Sequence, residues 1–146
     1  MKIFLLHHAD AVGPDVDPQR PLSSKGAAHA AALAVRAKEK GCAPAAIWHS
    51  GKLRARQTAE AWLRLSPFAE FKMVRGLRPD DPPEMIRDVL RGETRDAALV
   101  GHWPHLPALL RLLTRSETAE FPQHGAVLLE STDGASWTET WRTLGP

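Results

Sequence analysis

The chain has 146 residues, 43% apolar and 25% charged, the make-up of one ordinary soluble domain rather than a disordered tail or a fibre. A chain of this length buries roughly 70% of its unfolded surface, enough for one core without disulfide staples, and its single cysteine, Cys42, cannot form an internal one. Nineteen Lys and Arg against seventeen Asp and Glu leave a net charge of +2, too small an excess to suggest a nucleic-acid or membrane partner.

The apolar start, Met1 to Leu6, is too short for a signal-peptide core and reads as a buried strand over residues 2–7. A breaker-rich loop follows, from Gly13 through Pro14, Pro18 and Pro21. Ser23 or Ser24 can cap a helix that runs through the alanine-rich segment to about Lys40, where Gly41 closes it. Residues 45–49 read as a second strand. Residues 53–65 form a helix, with Ala55, Ala59, Trp62 and Leu63 at helical spacing, ending before Pro67. A third strand is expected at 71–74 and a short helix at 84–90, then a buried strand at 97–100 and a helix at 106–113. An antiparallel pair, 127–129 and 137–141, closes the chain around Asp133-Gly134.

Strands that alternate with helices predict an α/β fold with a mostly parallel sheet covered on both faces. In such sheets ligands bind beyond the carboxyl ends of the strands. His7 and His8 follow the first strand, Ser50 and then Arg54 the second, and His102 and Trp103 the fourth. This set suits phosphoryl transfer. A neutral imidazole can attack phosphorus and carry the group as a phosphoramidate. Arg54 can grip two equatorial oxygens with its planar fork, His102 can donate to a third, and the helix start near Lys52 adds backbone N–H groups.

The segment Phe4-Leu5-Leu6-His7-His8-Ala9-Asp10-Ala11 resembles the Arg-His-Gly segment of the histidine phosphatase superfamily. Ser50-Gly51-Lys52-Leu53-Arg54-Ala55-Arg56-Gln57-Thr58-Ala59 is similar to its Ser-x-x-x-Arg-Ala-x-x-Thr-Ala segment, and Gly101-His102-Trp103-Pro104 to its second-histidine motif. The short length and Arg20-Pro21-Leu22-Ser23-x-x-Gly26 bring it nearest to the SixA-type phosphohistidine phosphatase branch. The resemblance implies a three-layer α/β/α sandwich of the phosphoglycerate mutase-like kind, one domain over 1–146, with no metal or other cofactor. It further implies His8 as the nucleophile, Arg54 as a phosphate ligand and His102 as the second imidazole. The substrate would be phosphorylated, a phosphohistidine protein among the options, and the compartment cytoplasmic.

Two departures stand out. His7 occupies the place of the family's first arginine, and Ala9 that of its glycine. Histidine titrates near ~6.5, so the cationic anchor at position 7 becomes conditional and activity is expected to tilt towards mildly acidic pH. His7, Arg20, Ser50 and Trp103 are the further phosphate-rim candidates. Asp80, Asp81 and Glu84 are the candidate proton donors.

Two other readings compete. One is a phosphate-binding pseudoenzyme, suggested by His7; the other is a metal site drawn from His8, His102, His105 and His124, in which only His102-x-x-His105 has a short spacing. His29 and His49 read as structural, Arg56 as surface, and His105 as a helix residue near the rim.

Overall fold

The apolar run after Met1 becomes β1 (Lys2–His7), buried inside a six-stranded sheet in the computed structural model, which describes residues 1–146. The other elements follow in the expected order. They are α1 (Ser24–Glu39), β2 (Ala46–His49), α2 (Leu53–Leu63), β3 (Glu70–Met73), α3 (Glu84–Arg91), β4 (Ala97–Gly101), α4 (His105–Thr114), β5 (Ala126–Glu130) and β6 (Thr138–Thr143). Element ends shift by up to two residues from the sequence expectation, the usual latitude at frayed termini.

The strand order is β3-β2-β4-β1-β5-β6. The pairs β2–β3, β2–β4 and β1–β4 are parallel, whereas β5 joins β1 antiparallel and carries β6 at the edge. Alternation along each strand divides the core in two. Ile3, Leu5, Trp48 and Leu99 face Ile86 and Leu90 of α3 and Leu106, Leu109 and Leu110 of α4. Phe4, Leu6, Ile47 and Val100 face Ala30, Leu33 and Ala34 of α1 and Ala55, Ala59 and Trp62 of α2. The result is the expected three-layer sandwich, helices on both faces. No helix is long and apolar enough to cross a membrane.

Helix α1 starts where its sequence says. The Ser23 hydroxyl accepts from the Gly26 N–H at 3.1 Å, capping the first turn, and Gly41 turns the chain away with φ +80. The start of α1 also clasps the loop after β1. The Ser23 hydroxyl donates to the Asp10 carboxylate at 2.6 Å, and a Cβ on Gly26 would stand 2.0 Å from the Asp10 carbonyl oxygen. Only glycine lets the helix approach so closely.

Candidate active site

The register of the central strands brings the candidate residues to one edge. His7 pairs with Gly101 across β1 and β4, and His49 with Val100 across β2 and β4. His8, Ser50 and His102 therefore leave the sheet side by side. The His8 N–H still donates to the Gly101 carbonyl at 3.1 Å. The chain turns as β1 ends, so the adjacent rings of His7 and His8 sit on the same side, their centroids 4.5 Å apart.

His8 is buried, and its hydrogen bonds fix its tautomer. Nδ1 lies 2.7 Å from the Ala9 carbonyl oxygen, which can only accept, so Nδ1 carries the proton and Nε2 the lone pair. Arg54, in the first turn of α2, donates from Nε to that Nε2 at 3.3 Å. Ala9 is itself held. Its N–H donates to the Thr58 hydroxyl at 3.0 Å, which donates in turn to the Arg54 carbonyl at 2.8 Å. Burial, reinforced by the Arg54 charge and opposed by the Ala9 carbonyl, lowers the His8 pKa to about 4. At neutral pH the ring is uncharged.

The His102 ring stands 5.1 Å from that of His8. Its Nε2 meets the Ser50 hydroxyl at 2.6 Å, and its Nδ1 is buried without a partner. Burial first, then the His8 and Arg54 charges, lower its pKa to about 3. Arg20 adopts φ +50 in the first loop and donates from Nε to the Val12 carbonyl at 3.1 Å. Its charge reaches both His8 and Arg54. Trp103 is 46% exposed and flanks His7 at 6.0 Å.

His7 requires a correction. Its Nδ1 accepts the backbone N–H of His124 at 2.8 Å, so the proton of the neutral ring sits on Nε2. Burial, with the neighbouring His8, His124, His102 and Arg54 charges, pushes its pKa down to about 2. With no anion bound, His7 is a neutral donor rather than a cation at neutral pH. His105 also departs from its expected rim position: it is buried at the start of α4 with neither ring nitrogen partnered.

None of the three candidate proton donors hydrogen-bonds to the His8 ring. Asp80 and Glu84 are exposed. Asp81 lines a cavity of about 380 Å³ beside Ser50, with Met73, Arg75, Arg78 and Met85. Its Oδ2 accepts the N–H groups of Gly76 and Arg78 at 3.1 and 2.9 Å. His49 accepts from the Gly51 N–H and Arg56 pairs with Glu60 on the surface, as their sequence positions suggest. Cys42 is a buried thiol whose pKa burial raises to about 12, the inert kind.

The imidazoles that gather are those of His7, His8 and His124, one ring nitrogen of each lying within 4.8 Å of the others. The set of the rival metal reading, His8, His102, His105 and His124, does not assemble. Two ligands on one zinc ion at ~2.1 Å can be no more than ~4.2 Å apart, and His7 presents N–H rather than a lone pair. The cluster as built suits hydrogen bonding to an anion better than metal ligation. No sequence motif marked His124, which meets His8 across 116 positions of chain.

No protein-family model and no curated protein matches the sequence. Solved structures do. The protein histidine phosphatase SixA complexed with tungstate superposes with a TM-score of 0.84 at 21% identity, over 99% of this chain and 97% of that one. The fold is that of the histidine phosphatases. A protein from Agrobacterium tumefaciens proposed to be a phosphohistidine phosphatase SixA gives 0.80 at 24% identity, over 99% and 98% of the two chains. The phosphoserine phosphatase of Entamoeba histolytica, in complex with 3-phosphoglyceric acid, gives 0.73 at 13% identity, over 97% and 95%. The histidine phosphatase fold thus spans essentially the whole chain.

Proposed function

We propose that this chain is a phosphatase that takes a phosphoryl group onto Nε2 of His8 and passes it to water. One observation carries the reading: the Ala9 carbonyl holds the proton on Nδ1, which leaves an uncharged Nε2 beside the guanidinium of Arg54. In the first step the Nε2 lone pair attacks phosphorus and the bond to the leaving group breaks with its electron pair. In the second, water attacks phosphorus and the N–P bond breaks, returning the pair to Nε2. Arg54 stabilises charge on the equatorial oxygens in both steps. His102 and Ser50 form the wall opposite His7, Arg20 adds a cation at the rim, and Trp103 covers one side.

For substrate we assign a phosphohistidine side chain on a partner protein. The likeness to SixA supports this, and so does the absence of a carboxylate in contact with His8: a phosphorylated imidazole can be protonated before it leaves and depends less on a dedicated acid. Asp81, in the cavity beside Ser50, is the carboxylate best placed to serve an ester substrate. We assign the cytoplasm as the compartment, on the lone buried thiol.

The test is a screen of phosphohistidine protein and small phosphate esters beside His8→Ala. Turnover with an acid-labile label on the wild type, both lost in the variant, is the expected result; turnover surviving in the variant would exclude His8 as nucleophile. The neutrality of His7 favours a second reading, a phosphate-binding protein without turnover. Binding of phosphoprotein without label in the wild type would select it.

A further inference from the structure

His124 sits at the turn into β5 in a left-handed conformation, φ +53. It is tied to β1 twice: its backbone N–H donates to His7 Nδ1 at 2.8 Å, and its own Nδ1 lies 2.7 Å from the His8 carbonyl oxygen. A carbonyl only accepts, so Nδ1 carries a proton, and Nε2 is the nitrogen free to gain or lose one. The ring stacks on His7, centroids 4.8 Å apart and planes within 1° of parallel, and lies 5.8 Å from the ring of His8. Neither His7 Nε2 nor His124 Nε2 has a partner within the protein, and neither is sealed from solvent.

We propose that His7 and His124 form a two-imidazole clamp on the phosphoryl group held at His8, each donating from Nε2 to a different oxygen, His124 after taking up a second proton there. The inference rests on the phosphatase reading only in taking a tetrahedral dianion as the ligand. Two parallel rings 4.8 Å apart can each donate to a different oxygen of one such group. The pair thereby divides between two side chains what a single guanidinium does with one planar fork.

Charge assigns the roles. His7, His8 and His102 are held neutral down to about pH 4. The groups facing His124 are His7 from the end of β1, His8 just after it and the Asp10 carboxylate from the following loop. Arg54 and Arg20 approach His8 from the other elements. Because Nδ1 of His124 is committed to the His8 carbonyl, its Nε2 can donate only with a second proton, so anion binding takes up a proton and should weaken as pH rises.

Sulfate is the suitable probe, because it stays a dianion across pH 5–8, whereas phosphate itself titrates. Calorimetric titration of the wild type should show sulfate affinity falling about tenfold between pH 5.5 and 7.5, the loss of one charge-assisted hydrogen bond. His124→Asn keeps a side chain that tolerates the left-handed backbone and can still reach the His8 carbonyl. It should bind sulfate about tenfold more weakly at pH 5.5 and show no pH slope. His124→Gln, with a longer neutral donor, should also lose the slope. A wild type whose affinity is flat with pH, or no detectable binding at any pH, would overturn the clamp, as would a slope retained in both variants. These readouts need no turnover, so they stand or fall separately from the phosphatase assay.

Discussion

A main-chain N–H decides what His7 can be. By accepting from His124, its Nδ1 ties the end of β1 to the turn before β5. His7→Ala would leave that half-buried donor without its partner, a loss of about 1 kcal/mol in unfolding free energy, whereas His7→Asn supplies an acceptor oxygen and should recover most of it. Urea unfolding of the two variants checks this, and equal losses would remove the hydrogen bond as the cause. His7→Arg adds a fixed charge but forfeits the acceptor, so tighter anion binding should come with lower stability. The depressed pKa values of His7, His8 and His102 have a shared consequence. Each ring binds its proton less readily folded than unfolded, so stability is complete above about pH 6.5 and is lost as pH falls towards the folded values. For His8 alone, with a folded pKa of about 4, the loss is about 3 kcal/mol. Thermal melts between pH 7 and 4 should fall steadily; a flat profile would mean the rings are not held neutral.

Two helices hold the loop that carries His8. Thr58 on α2 accepts from the Ala9 N–H, and Gly26 on α1 packs against Asp10. Thr58→Val keeps the shape but strands a buried donor, so it should cost about 1–3 kcal/mol and slow turnover, while Thr58→Ser should retain both. Gly26→Ala places a methyl group 2.0 Å from the Asp10 oxygen and must push α1 off the loop. We expect a loss of at least ~1–3 kcal/mol, with reduced activity from displaced His8 geometry, measured by urea unfolding and phosphatase assay. The elements themselves were legible because each carries its own signal. Ser23 and Gly41 bracket α1, and the apolar runs of β1 and β4 stop at the residues that line the site. His8, Arg54 and His102 were readable for the same reason, each lying just past a strand. His124 was not, because its role depends on a strand pairing between distant segments and on one backbone torsion, and neither leaves a local pattern. The tautomer of His7 was hidden likewise.

Over the whole molecule, a net charge of +2 says little, because the charges are unevenly neutralised. The nine ion pairs leave out Arg20, Lys52, Arg54, Arg75 and Arg78, which surround the site and its neighbouring cavity. Such a rim should draw a dianionic substrate in, so kcat/KM should fall as salt rises from 20 to 300 mM while kcat changes little. An unchanged kcat/KM would show that the field does not steer encounter. Finally, the partners of β1 on either side are β4 and β5, roughly a hundred residues later. During synthesis His8 and its strand must wait, unpaired, until both of those segments have emerged. A chain ending before residue 126 would lack β5 and with it the seat of His124, so such a premature termination product should be inert.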